Sequence, residues 1–278
     1  MGEKVSKSFP KDLILIVIIL GIMFFVNPAI GSILFWIYII YKGITNRDML
    51  SAFMANRAYR NYQYPKAINW YKKAALSKVS KAKIIANYVF LELKHGDVCE
   101  ADRIFDKITS DRQFKEKDLQ NIKMAEALIY WKKNDVDSAI KTLQDLSTTH
   151  KTSTIFETLG YFLINKGDLN EALEFNEAAL ITYNSSSIIK ANLGEIYYNL
   201  GNFEKAKELF TPLIDDYVNF SEPYYYSGLI LAEEGNKEAA AELLNKAFSL
   251  EESFLSNLNK ETIKQKLEKI SKEKPLNL

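Results

Sequence analysis

The chain has 278 residues, of which 47% are hydrophobic and 26% charged, and its formal net charge is +1. That length allows a sizeable core, while so even a charge balance excludes the strong positive field expected of a nucleic-acid binder. A single cysteine, Cys99, excludes an intramolecular disulfide and leaves the redox compartment open. Six prolines and eleven glycines leave no room for a long flexible linker, so a mostly helical, all-α chain is expected.

Residues 1–12 form a short basic segment with Lys4, Lys7 and Lys11. Residues 13–41 follow without a charged residue, as two apolar arms, 13–26 and 29–41, separated by Asn27-Pro28. As one helix this stretch would run about 43 Å, against a hydrocarbon core of roughly 30 Å. A kinked or tilted single span is therefore one reading. The other is a hairpin turning at Asn27-Pro28, with arms of only about 20 Å each. Basic residues at both outer ends (Lys42 and Arg47 on the far side) and aromatic residues near the break and the far end favour the hairpin. A cleaved signal peptide fits less well, because the apolar stretch is too long and no small-residue cleavage site follows. The expectation is a retained membrane anchor that contacts lipid through residues 13–41, in a bacterial cell membrane with the remainder of the chain cytoplasmic. The first 47 residues carry five basic and two acidic groups, +3, and the rest 31 basic and 33 acidic, −2. This mild basic collar serves mainly to set topology.

From residue 48 onward one pattern recurs. Ala67 and Ala101 are 34 residues apart; Ala139 follows after a four-residue insertion near Thr109–Asp118, and Ala172 after a one-residue deletion. The period then holds: Ala172, Ala206 and Ala240 are 34 apart, as are Gly160, Gly194 and Gly228, and Gly167, Gly201 and Gly235. The copy at 187–220 shows what is repeated. Ile189, Leu193, Ile196, Tyr197 and Leu200 have helical spacing, Gly201-Asn202 interrupts, and Phe203, Ala206, Leu209, Phe210, Leu213 and Ile214 restart it. Each unit is thus two helices joined by a tight turn, where glycine can take the left-handed conformation. Gly194 and Ala206 sit where larger side chains would force the paired helices apart. Such a hairpin cannot bury its own apolar faces and must stack on neighbours. The units fall at 48–81, 82–119, 120–152, 153–186, 187–220 and 221–254. In the weaker early copies Val89 replaces the small first-helix residue, and Tyr62 and Asn134 replace the turn glycine. The charged insertion at 109–118 reads as a surface spacer, and Ser187 and Ser221-Glu222-Pro223 read as helix starts. Pro212 should kink its helix. Residues 255–278 read as a capping helix, with Ile263, Leu267 and Ile270 on one face, followed by a frayed tail.

These residues resemble the tetratricopeptide repeat family, whose unit is a 34-residue helix–turn–helix. Leu159-Gly160, Gly167, Ala172, Ala179, Leu193-Gly194, Tyr197, Gly201, Ala206, Phe210, Gly228, Gly235, Ala240 and Ala247 carry the resemblance. The proline usual after the second helix is missing in all six copies. The implied fold is an α-solenoid of about six repeats with a C-terminal capping helix, preceded by the transmembrane hairpin or kinked span.

No catalytic, metal-binding or cofactor motif stands out. His95, His150 and Cys99 lack metal-ligand spacing, and no phosphate-binding glycine loop or nucleophile elbow is present. His95 directly precedes Gly96-Asp97 and is expected to interact with the helix end. No enzyme and no cofactor are expected; the remaining option is binding. The resemblance implies a concave groove lined by the first helices, with Asn56, Tyr59, Phe90, Leu128, Trp131, Tyr161, Asn192, Glu195, Tyr198 and Tyr225 as candidate contacts, about half of them packing on the adjacent hairpin. Asn56 and Asn87 match the clamp for a C-terminal carboxylate that the resemblance suggests, but Ala52, Asn121 and Ala125 stand where it would need cations, so no such clamp is expected. The expected function is a membrane-anchored scaffold whose groove binds a peptide or helix of a protein partner. A permanent structural subunit of a membrane or envelope complex is the alternative.

Overall fold

Helix-spaced apolar residues punctuated by short polar turns give an unbroken series of helices. The computed structural model describes residues 11–272 and contains no strand among them. Its helices are α1 (Lys11–Phe25), α2 (Pro28–Thr45), α3 (Arg47–Arg60), α4 (Tyr64–Ala75), α5 (Ala82–His95), α6 (Val98–Thr109), α7 (Glu116–Lys132), α8 (Val136–Thr149), α9 (Ser153–Lys166), α10 (Leu169–Thr182), α11 (Ser187–Asn199), α12 (Phe203–Asp215), α13 (Glu222–Glu233), α14 (Lys237–Ser249) and α15 (Lys260–Lys272). Lys4 and Lys7 of the basic segment and the tail beyond Lys272 lie outside the described residues.

Helices α1 and α2 fold back on each other. Asn27 caps α2, its Oδ1 accepting from the backbone N–H of Ala29 at 2.9 Å and of Ile30 at 3.2 Å, and Pro28 supplies the first turn. A Cβ at Gly31 would lie 2.2 Å from Met23 Cα, so glycine allows the two backbones to touch. At the open end Lys42 pairs with Asp12 at 2.8 Å. The arms exceed the sequence expectation: α2 has 18 residues, about 27 Å, and it is long and apolar enough to cross a membrane by length and composition. Outside their shared seam the two helices expose apolar side chains, Val17, Phe25, Ile33 and Trp36 among them.

The remaining helices pair as six hairpins, and two residue positions explain why. The second-helix alanines Ala67, Ala101, Ala139, Ala172, Ala206 and Ala240 are all fully buried. Twelve residues before each sits a first-helix residue that faces a residue sixteen further on. A Cβ at Gly160 would meet Asn176 at 2.3 Å, one at Gly194 would meet Phe210 at 2.4 Å, and one at Gly228 would meet Leu244 at 2.9 Å. In the earlier repeats the same register places Ala55 with Tyr71, Val89 with Phe105 and Ala127 with Leu143, all buried. Small against large at one level sets how closely each pair packs.

The turns follow the same logic. Gly167, Gly201 and Gly235 have φ of 100°, 74° and 85°, and Tyr62 and Asn134 adopt the same left-handed conformation at 56° and 63°. Gly96 differs: its φ is −128°, and a Cβ there would strike Glu92 Oε1, which accepts from Asp97 N–H at 3.1 Å. Directly after the turn residue, Asp97, Asp135, Asp168, Asn202 and Asn236 cap the second helices through their side chains. Gln63 at this position in the first repeat makes no such bond.

Two local expectations need correction. Helix α7 begins at Glu116 and absorbs part of the insertion, and the remaining loop is pinned: Arg112 donates to the Ser80 carbonyl, and Phe114 packs on the core. Ser221 does not cap α13; its Oγ donates to the Ala247 carbonyl at 3.1 Å.

The core runs along the stack in three joined segments. Helix α7 sits at the first joint: Ile122, Ala125 and Ile129 pack toward repeats one and two, and Ala127 and Trp131 toward repeats four and five. Helix α15 caps the far end, with Ile263 buried beside Tyr224, Tyr225 and Leu244.

Candidate partner-binding groove

The first helices α3, α5, α7, α9, α11 and α13 form one face of the stack, and a stretch of non-helical chain lies across it. Residues 251–259 connect α14 to α15 as a turned loop on this face: Ser256 N–H donates to the Ser253 carbonyl at 3.2 Å, and Lys260 N–H at the start of α15 donates to Glu252 Oε1 at 2.7 Å. Glu251 and Glu252 line a cleft with Tyr59, Tyr64 and His95 at the first two repeats. Phe254 packs edge-on against Phe90, with centroids 4.8 Å apart. Its carbonyl accepts from Lys132 Nζ at 2.7 Å, and the same ammonium lies 4.4 Å from its ring centroid. Asn257 N–H donates to Tyr161 Oη at 2.7 Å, and its side-chain amide donates to Asn165 Oδ1. Leu258 ends in the last core segment. Residues 251–258 reach at most ~25 Å when extended. Six first helices stacked 8–10 Å apart would span roughly 45 Å. A strap this short meets all of them only because the face is concave.

Burial sets the electrostatics of this face. Lys132 is half-buried, its pKa is lowered by desolvation, and among the described residues it has no carboxylate partner; the strap carbonyl and ring are its compensation. Beside Leu255, a cleft of about 210 Å³ is bordered by Tyr161, Ala191, Asn192 and Glu195. Burial raises the Glu195 carboxyl to about 7, opposed by its hydrogen bond with Tyr226 and reinforced by the charge of Glu222. Burial pushes the Tyr161 hydroxyl up to about 12.

The residues named from sequence divide by environment. Phe90 is half-exposed and touches the strap; Tyr161 touches it through its hydroxyl; Leu128 packs on both adjoining core segments. Tyr59 lines the cleft at the first repeat, and Asn56 accepts from Tyr71 Oη at 2.8 Å. Tyr198 leans on Phe203 and Tyr226, and Glu195 borders the second cleft. Three are interior. Trp131 stacks on Phe162 at 4.3 Å, and Tyr225 packs in the last core segment. Asn192 is 4% exposed and bonds Asn176 and the Glu157 carbonyl between repeats, both at 3.2 Å. His95 does not serve the helix end; it stacks on Tyr64 at 3.7 Å, with Nε2 buried and unpartnered. Sequence reasoning missed Lys132, Asn165, Phe254, Leu255 and Asn257. The available signal was Phe254-Leu255, two large apolar residues in a Ser- and Asn-rich stretch without helical period.

Comparison with known proteins agrees with this geometry. The family model described as tetratricopeptide repeat matches residues 192–249. A tetratricopeptide repeat protein from Parabacteroides merdae superposes with a TM-score of 0.63 at 16% identity, covering 93% of this chain and 98% of its own. The fold is that of a tetratricopeptide-repeat solenoid. PilF of Pseudomonas aeruginosa is also similar, with a TM-score of 0.56 at 13% identity over 74% of this chain and 92% of its own. A sequence search of curated proteins finds no match. Tetratricopeptide-repeat solenoids generally mediate protein–protein interactions and are typically non-catalytic.

Proposed function

We propose that this chain is a membrane-anchored scaffold whose concave repeat face binds a peptide or helix of a protein partner. The observation that carries this reading is the strap itself. The face already takes non-helical polypeptide, satisfying main-chain groups at Phe254 and Asn257 with the side chains of Lys132 and Tyr161. A surface that pairs backbone groups in this way and offers half-exposed aromatic side chains suits peptide recognition. The α1–α2 hairpin supplies the anchor: its apolar surface faces outward, which suits lipid and is costly in water. Basic residues at both outer ends favour a cytoplasmic location for the repeats.

Thiol labelling of single cysteines introduced near Lys7 and near Lys272 tests the anchor. Equal protection of both from an impermeant reagent in intact cells supports a hairpin with the repeats inside. Labelling of only one contradicts it.

One observation favours the second reading, a subunit built permanently into a membrane assembly. Ile181 and Tyr217 are more than four-fifths exposed, at the end of α10 and just after α12, where a neighbouring subunit could cover them. That reading requires the full chain in detergent to aggregate unless co-expressed with its neighbour.

A further inference from the structure

The strap has the properties of a ligand as well as a connector. Both ends of the strap lie at the Tyr59 cleft, which Glu251, Glu252 and Lys260 all line, and a direct link between them would not need to reach Phe90, Lys132 and Tyr161. Its contacts are also specific to side chains. Asn165 is oriented by donating to the Tyr161 carbonyl at 2.9 Å, which turns its Oδ1 to accept from Asn257. Lys132 has its acceptor on the strap and would be a half-buried, unsatisfied cation without it.

The fit is nonetheless incomplete. Leu255 leaves the cleft beside it unfilled, with Thr158, Ala191 and Ile188 on its walls. A larger apolar side chain there would gain contacts that the strap does not make. Ile263 holds α15 in the last core segment, and Leu258 and the Glu252–Lys260 hydrogen bond fix the strap's two ends beside it, so residues 253–257 between them can lift off while the cap stays.

We propose that residues 251–259 are a built-in ligand of the groove, whose middle part, 253–257, is displaced by a partner segment that carries an aromatic residue, then a large apolar residue, then asparagine two positions on. This deepens the groove reading above and rests on it. The strap is tethered at both ends and competes at a high effective concentration, of the order of millimolar for short connections. An external peptide therefore meets a closed groove in the resting protein.

The test uses the full chain in detergent micelles and a fluorescent synthetic peptide of the strap's own sequence, residues 251–259. Phe254→Ser with Leu255→Ser should release the strap and tighten peptide binding at least tenfold over the wild type, measured by anisotropy. Phe90→Ala added to that variant, or alanine for phenylalanine in the peptide, should weaken binding about tenfold. A second measurement needs no altered protein. Saturating isotope-labelled peptide should speed hydrogen exchange of the wild-type amides at 253–258, including Asn257. Equal affinity for wild type and released variant, no binding to either, or unchanged exchange overturns the inference. So does a concentration-dependent dimer of the released variant that excludes the peptide, which would give the groove to a second copy. Photocrosslinking from position 90 separates the two levels: a partner captured there without peptide binding leaves the groove reading standing and removes only the strap's role.

Discussion

Repeats four to six and repeats one to three are built to one plan by different means. The later group uses glycine at both demanding positions: in the turn, where φ is positive, and in the first helix, where Asn176, Phe210 or Leu244 presses close. The earlier group keeps the geometry with Tyr62 and Asn134 in left-handed turns and with Ala55, Val89 and Ala127 in the helix. Apart from the turn of repeat two, where Gly96 has a φ of −128°, the backbone shape is kept while the residue changes. Residue identity is free wherever a neighbour adjusts or a modest strain is tolerated.

The largest effect should come from forcing the early solution onto a late repeat. Gly194→Val, which copies the Val89–Phe105 pairing, drives a side chain into Phe210 and should cost about 3 kcal/mol in urea unfolding. Val89→Ala, at the matching place, leaves a small void and should cost about 2 kcal/mol.

The second contrast is in charge. Glu195 in repeat five is held neutral up to about pH 7, so the native state binds more protons than the unfolded chain between roughly pH 4.5 and 7. Stability from this group therefore falls as pH rises through that window. Glu195→Gln should flatten the decline and leave the variant about 1–2 kcal/mol more stable than wild type at pH 8.

Smaller effects should mark the turns. Tyr62→Gly relieves a left-handed tyrosine that is 77% exposed and should raise stability by about 1 kcal/mol, whereas Gly201→Ala should lower it by a similar amount. The capping position should show the least. Asn202→Ala should cost about 1 kcal/mol, and Gln63→Asp, which gives repeat one the cap the others have, should gain about 0.5 kcal/mol, both read from thermal midpoints.

These contrasts also show what the sequence made legible. The period, the small residues at the helix seam and the turn glycines could be read because each answers a local steric demand. The Asp or Asn after every turn from Asp97 to Asn236 was equally readable and went unused. The course of residues 251–259 was not, since nothing local dictates where a non-helical connector lies; only the curvature of the whole stack brings Phe254 to Phe90. Trp131 and Tyr225 were named for the groove because the family resemblance assigns the first helices to one face, whereas packing of the next hairpin decides how much of that face is covered. Glu92 reaching forward to Asp97 explains Gly96, whose φ of −128° sets it apart from the turn glycines of the later repeats.

Photocrosslinking from two positions in living cells tests the central claim most directly. A photoreactive residue at position 90, on the concave face, should capture a partner protein, and one at Ile181, exposed on the second helix of repeat four, should capture none. Capture from position 181 alone, or from neither, would contradict a scaffold that works through its groove.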